Sequence, residues 1–529
     1  MPPKRSAKSR KSETEMSTAG GFDGIQLESK QISTLILMLK GDEGQIVQNS
    51  VEALYRYADK STENKTQLFS LKSLDLLFSL LIENNESRYN DNNRLIKRYA
   101  AMTIGVMSSV VEVKKAIKLK REWLQSLTNI LHEAAETSSI DPVITEFVCL
   151  IISNLSQEFT GKVALAKATD DPSILPAALV KLLQSSDPDI CYNAATSLKN
   201  LAIDFENLAI IRSQNNIEEY LLDLLSSRYP LIQKTVLTLL VNISQETKSA
   251  EKIGELEGVR KLIDIIGNDK ISDLHESSLH VLSNLFRVHK LLAEARNQGA
   301  LLRLLQLQGK EPGKNANEVG AIEPAIMAAL ATAFENIAVD KVNADILVDE
   351  KIDATLINYL NFDENNVKAC AVFAVATLAK NVFFKETFAQ NGIELLAKLL
   401  ESDHEKCLEG ALLALSVLML NCSGNIELAV RHNAIEFICN SLTHESECVV
   451  INALAALRSA SLDSTARASA LRTGLFREGI KSLLMHDSSE IKLATAKTMT
   501  CYWKGFFFLF FHIGTADLGR NKMRKKVHF

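Results

Sequence analysis

Little in this sequence interrupts a helix. Nine prolines and 22 glycines are spread over 529 residues, and aromatic side chains make up only 6%. Proline and glycine break helices, and aromatic residues are enriched in strands, so this scarcity argues against a β sandwich or barrel. Charge of one sign is also scarce: 64 acidic against 59 basic residues leaves a net of −5. The molecule as a whole is therefore not built to bind nucleic acid. The eight cysteines (Cys149, Cys191, Cys370, Cys407, Cys422, Cys439, Cys448 and Cys501) include no C-x-x-C pair. They are expected to be reduced, mostly in the core of a cytoplasmic protein, with no disulfide framework or structural metal. The apolar run Phe506–Ile513 is far short of the ~20 residues of a membrane span. Lys4, Arg5, Lys8, Arg10 and Lys11 precede no apolar core, so no secretory signal is expected, and with Pro2 in place of glycine no myristoylation is expected. The cluster KRSAKSRK is expected to be a polar tail rather than a nuclear-localisation signal.

Chemistry-bearing motifs are missing too. Gly309-Lys310-Glu311-Pro312-Gly313-Lys314-Asn315 is one residue short of a phosphate loop between its glycines. It also has Asn where a hydroxyl should hold magnesium. No H-E-x-x-H, G-x-S-x-G or dinucleotide fingerprint occurs, and His275-Glu276 and His404-Glu405 read as polar helix or turn residues. No catalytic residue, cofactor or metal is assigned, and the expectation is a protein that is not an enzyme.

What the sequence does have is self-similarity. Asn200 in TSLKNLA, Asn242 in LTLLVNIS and Asn284 in HVLSNLF recur at 42-residue steps. Asn154 and Asn336 hold the same place across longer intervals. Thr377, Val417 and Ser459 take it later in the chain, Val106 and Arg56 earlier. Two residues before it, the position is always apolar: Ile152, Leu198, Leu240, Leu282, Phe334, Val375, Leu415 and Leu457. Pro142, Pro188, Pro230 and Pro324 each stand twelve residues before an Asn, and proline is tolerated in the first turn of a helix but not deeper. They mark the start of a long final helix in each repeat. A period of about 40 to 47 residues with this content predicts stacked helical repeats that share one continuous core. Asn84–Asn93 and Gln308–Gly320 read as exposed loops.

The segment SSDPDICYNAATSLKNLA (Ser185–Ala202) resembles the armadillo repeat of β-catenin and importin-α. The resemblance implies an all-α fold, a right-handed α-solenoid of about eleven armadillo repeats over residues 28–505. A basic disordered tail (1–27) precedes it, and an atypical apolar then basic tail (506–529) follows. A narrower likeness, carried by FDGIQLESKQISTLILMLKGDE (Phe22–Glu43), ENKTQLFSL, AIDFENLA and SSRYPLIQ, is to the armadillo repeat-containing protein 3 group. That group implies a testis- and cilium-associated scaffold, and hence a cytoplasmic protein of the cilium or sperm flagellum. Its members continue into a second, transglutaminase-like domain. The GFFFLFFHIG stretch after Lys504 is accordingly expected to be a truncated end rather than a membrane-touching tail.

In such a solenoid the third helices line the concave face, where Asn154, Asn200, Asn242, Asn284 and Asn336 would form a ladder. An Asn amide offers two donors and one acceptor, enough to hold the backbone of an extended peptide. A groove-side Asn can equally bond its own or the next repeat and set the stacking. Where importin-α carries tryptophan, four residues before each Asn, this chain has Leu150, Thr196, Thr238, His280 and Thr332. Lys199, Arg287 and Lys290 are the candidates for groove charge. The expected partners are proteins or peptides. An importin- or β-catenin-like adaptor in transport, adhesion or signalling is the alternative.

Overall fold

The computed structural model describes residues 29–83, 86–137, 139–308 and 322–502. Among them every regular element is a helix, and they fall into two compact units that divide after Gly258.

In the first unit the long helices are Gly44–Ala58, Asn93–Met107, Pro142–Ser156, Pro188–Leu201 and Pro230–Ile243, each packed against the next. Further helices join each to its successor, for example the short pair Phe205–Arg212 and Ile217–Leu224, or Val111–Leu119 followed by the longer Arg121–Glu136. The second unit repeats the plan with His275–Phe286, Pro324–Ile337, Asn365–Leu378, Glu405–Leu418 and Glu447–Ala460, again a packed row. Helical residues 489–502 continue that row, and Thr498 Oγ1 donates to Leu454 O at 3.1 Å.

The four aligned prolines open the four helices whose names begin with them. There the missing N–H costs nothing, because the first turn has no acceptor for it. Before two of them an aspartate completes the cap: Asp141 Oδ1 accepts from Val143 N–H (3.0 Å), and Asp187 Oδ1 from Asp189 N–H (2.8 Å). The apolar column two residues before the Asn position is fully buried at all eight places, Ile152 through Leu457. It is the spine that neighbouring long helices share.

Several second helices begin at a reversal the sequence does not announce. Lys72, Asn216, Lys351 and Asn433 stand immediately before them with φ between 57° and 60°, a region costly for all but glycine and asparagine. Lys120, Ser173 and Thr473 precede their second helices with negative φ, and one further repeat has no break at all. Asn391-Gly392 is a turn dipeptide by composition, yet Val382–Leu399 is a single helix. The Phe388 ring lies so close to Gly392 that a Cβ there would fall 2.2 Å from it.

The expected loop at Asn84–Asn93 is corrected by the structure. Glu86–Tyr89 and Asn90–Asn92 are short helical turns, with Tyr89 and Asn93 buried. Arg88 ties the segment down by donating to Asp42 Oδ1 (2.9 Å) and Lys40 O (3.0 Å). The other expected loop lies outside the described residues beyond Gln308, as do the two tails, 1–27 and 506–529.

Candidate functional site

All five ladder asparagines sit near the ends of long helices and are half-exposed. Asn154, Asn200 and Asn242 belong to the first unit, Asn284 and Asn336 to the second. The buried spine two residues earlier fixes their direction: one helical face holds the core, and the Asn lies at its margin.

Asn154, Asn200 and Asn336 bond the preceding repeat. Asn154 Nδ2 donates to Ser108 Oγ (2.8 Å), and Asn200 Nδ2 to Ser156 Oγ (3.1 Å). Asn336 Nδ2 donates to Ser283 Oγ (2.7 Å) and to Ser283 O (3.1 Å). Each serine hydroxyl of the first unit passes its proton on within its own helix: Ser108 to Gly105 O (2.7 Å), Ser156 to Ser153 O (2.9 Å). Each pair is thus a donor chain linking two repeats. Stacking uses one donor of the Asn154 and Asn200 amides, where a second N–H and the carbonyl oxygen remain, and both donations of Asn336 go to Ser283.

Asn242 differs. The position equivalent to Ser108 and Ser156 is Ala202, and among the described residues the Asn242 carboxamide has no hydrogen-bond partner. Its main-chain carbonyl accepts from the Arg212 guanidinium. For Asn154 and Asn200 the signal in sequence is a serine two residues beyond the Asn position of the preceding repeat, whereas Asn336 uses Ser283, one residue before that position.

A second asparagine column was missed, and it is structural. Asn64 Nδ2 donates to Tyr57 O (2.8 Å), Asn343 Nδ2 to Ile337 O (3.2 Å) and Asn425 Nδ2 to Leu418 O (3.0 Å). These satisfy the orphan carbonyls at the ends of long helices.

Ion pairs also join neighbouring repeats. Asp141 receives Arg98 (2.6 Å) and Arg94 (3.0 Å), and Glu158 receives Lys114 (2.8 Å) and Lys118. Burial would raise the Asp141 pKa. The bonds from Arg98, the Val143 N–H and Arg94 outweigh it and hold the carboxyl below the usual range. The two lysine bonds bring Glu158 down to about 2.

Of the candidate groove charges, Arg287 and Lys290 are exposed, whereas Lys199 is half-buried beside Asn200. Leu150, Thr196, Thr238, His280 and Thr332 occupy the places named above for tryptophan. Thr196 is buried, and its Oγ1 has no hydrogen-bond partner among the described residues. His275 is a buried residue with Nε2 3.2 Å from Asn268 O, and His404 is the N-cap of Glu405–Leu418.

Human Armadillo repeat-containing protein 3 is 30% identical to this chain over 457 residues, 86% of this chain and 49% of the relative. A structure from work on a phosphorylation switch in the interaction between cadherin and β-catenin superposes with a TM-score of 0.70. It is 15% identical and covers 94% of this chain and 95% of its own. The chain is an armadillo-repeat protein. The crystal structure of an engineered protein matches this armadillo-repeat chain with a TM-score of 0.51 at 19% identity, over 90% of this chain and 99% of that one. At these identities the structural likeness is one of fold. No family model matches the armadillo-repeat chain, and it spans about half the length of its curated relative. Among the described residues no helix is long and apolar enough to cross a membrane.

Proposed function

We propose that this armadillo-repeat chain is a non-enzymatic scaffold that holds an extended or helical segment of a partner protein along its long helices. Within each unit the ladder supplies the contacts: Asn154, Asn200 and Asn242 in the first, Asn284 and Asn336 in the second. The observation that carries the reading is the half-exposed Asn242 carboxamide with no partner among the described residues. A polar group able to make three hydrogen bonds and making none within the fold suits contact with an outside backbone. Rungs about 10 Å apart meet an extended chain at roughly every third residue. Such contacts grip a backbone without reading its side chains.

The likeness to Armadillo repeat-containing protein 3 supports placing that partner in a cytoplasmic assembly of the cilium or sperm flagellum. The free cysteines, four of them buried, accord with a reducing compartment. A β-catenin-like adaptor is the rival, favoured by the superposition at TM-score 0.70.

Affinity capture from testis or ciliated tissue tests both parts, comparing wild type with Asn200→Ala/Asn242→Ala/Asn284→Ala. The expected result is that axonemal or ciliary-transport proteins bind the wild type and are lost with the folded triple variant. Equal capture by both baits would reduce the ladder to a stacking device. A catch of junctional or nuclear-transport proteins would overturn the ciliary placement.

A further inference from the structure

The short helices Val111–Leu119, Phe159–Ala166 and Phe205–Arg212 follow three successive long helices of the first unit. Their first residues are Val111, Phe159 and Phe205. All three are exposed, the phenylalanines by 72% and 80%. Nothing in helix chemistry calls for an aromatic residue there, since the first turn favours acidic side chains. Leu119, Val163 and Ile203 are exposed beside them. Apolar surface left in water is unfavourable, and six such residues at corresponding places on neighbouring repeats make a patch of the kind that marks an interaction surface. The patch has ends. Thr62 and Thr247 begin the corresponding helices of the repeats before and after it.

Charge indicates what covers it. Lys115 lies one turn beyond Val111 on the first of these helices, and Glu206 follows Phe205 on the third. Both are exposed, and neither has an ion-pair or hydrogen-bond partner among the described residues. Equivalent helices of stacked repeats run the same way about 10 Å apart, so within one molecule these two charges are about 20 Å from each other. A two-fold axis through the middle helix, between Phe159 and Val163, brings them together from two molecules. It lays the first helix of one copy over the third helix of the other, with the direction reversed. At 1.5 Å per residue, Lys115 is about 6 Å past Val111, and Val163 is as far past Phe159. The rotation therefore sets Lys115 over the Phe205–Glu206 start of the other copy, and does so twice. Phe159 meets Val163 at the centre, Val111 meets Ala209, and Leu119 comes to the turn that holds Ile203. Apolar contacts at the centre with opposite charges beside them are the anatomy of a self-complementary interface.

We propose that this face is a homodimer interface, in which two copies of the chain associate about a two-fold axis at Phe159 and Val163 and Lys115 of each copy pairs with Glu206 of the other. At about 150–250 Å² for a whole aromatic side chain, the two phenylalanines alone present roughly 250 Å². With the other apolar residues and the flanking polar ones, the face approaches the ~800 Å² that each partner gives to a standard interface. None of these residues belongs to the asparagine ladder. A dimer carries each ladder twice, so a partner with two binding segments is held by both copies at once.

Sedimentation equilibrium of the full chain provides the test and needs no other ligand. Wild type should dimerise reversibly with a Kd of about 1 μM or below, within the span of interfaces of this size. Phe159→Asp and Phe205→Asp should each raise that Kd about a hundredfold, because the symmetry loses every contact twice. Both substitutions put an acid in a first helical turn, where it is tolerated, and circular dichroism separates lost association from lost fold. Phe383→Asp changes an equally exposed aromatic of the second unit and should leave the Kd as it was. Lys115→Glu should weaken the dimer about tenfold, and Lys115→Glu/Glu206→Lys should restore it. Wild type that stays monomeric, or a dimer indifferent to Phe159→Asp and Phe205→Asp, would overturn the proposal. A charge swap that fails to restore association would overturn the two-fold register. Monomeric wild type that loses a captured protein on Phe159→Asp would give the face to a different partner and overturn the dimer.

Discussion

Asn154 and Asn242 have the same residue type at the same repeat position and differ in what they touch. Asn154 donates to the buried Ser108 hydroxyl one repeat away, at 2.8 Å. Asn242 faces a repeat where that serine is Ala202. The two roles weighed for the ladder, stacking and peptide holding, therefore separate by mutation. Asn154→Ala should cost about 1 kcal/mol in urea unfolding, the net worth of one hydrogen bond. Asn242→Ala should cost almost nothing and act on binding alone. Equal losses at both positions would mean that the Asn242 amide has a structural role. Thr196 provides a third contrast. Its hydroxyl is shut from solvent with nothing to bond, and such a group destabilises the fold it sits in. Thr196→Val keeps the shape and removes the liability, so the midpoint of unfolding should hold or rise, by up to about 1 kcal/mol.

At the level of elements, the periodic rules were legible and the pairwise ones were not. Four prolines spaced from an Asn predicted four helix starts to the residue, because proline at the first helical position follows from backbone chemistry alone. The buried spine was legible for the same reason: burial repeats with the element, and so does the letter. The serine partners were not, since each lies 44 to 53 residues from its Asn and depends on how one repeat settles on the last. The left-handed residues Lys72 and Lys351 carry no compositional mark at all, and the Asn391-Gly392 turn signal was overridden by Phe388 packing within one long helix. Close approach of long helices was hidden likewise. A Cβ on Gly410, in Glu405–Leu418, would come 2.1 Å from Val372 Cγ2 of the preceding long helix. Gly410→Ala improves helix propensity by about 1 kcal/mol, but overpacking costs about 1–3. The net should be destabilising, visible as a lower thermal midpoint. A stabilised variant would mean the two helices separate more readily than their packing indicates.

At the scale of the whole molecule, the described ion pairs that cross from one repeat to the next concentrate in residues 75–252. They include Lys120–Asp75, Arg98–Asp141, Lys118–Glu158, Lys181–Glu136 and Lys252–Glu218. Repeat arrays are held by nearest-neighbour interfaces, so what titrates at those interfaces sets how the first unit responds to pH. The carboxyls of Asp141, Glu158 and Glu136 all lie below their ordinary values. A lowered folded-state pKa gives stability that is complete above the unfolded value, about 4. It is lost as pH falls through the folded value, about 2 for Glu158. Hydrogen exchange followed at pH 7 and pH 3 should therefore show protection falling more in residues 93–182 than in residues 365–460. Asp141→Asn identifies the cause. Its side chain is only 2% exposed and accepts from two arginines. At pH 7 the substitution should cost about 1–3 kcal/mol, the range for hydrogen bonds to a charged group. Below the folded pKa wild type is itself protonated there, so the two proteins should converge. A gap that does not narrow as pH falls would show that the charge of Asp141 contributes nothing to the difference.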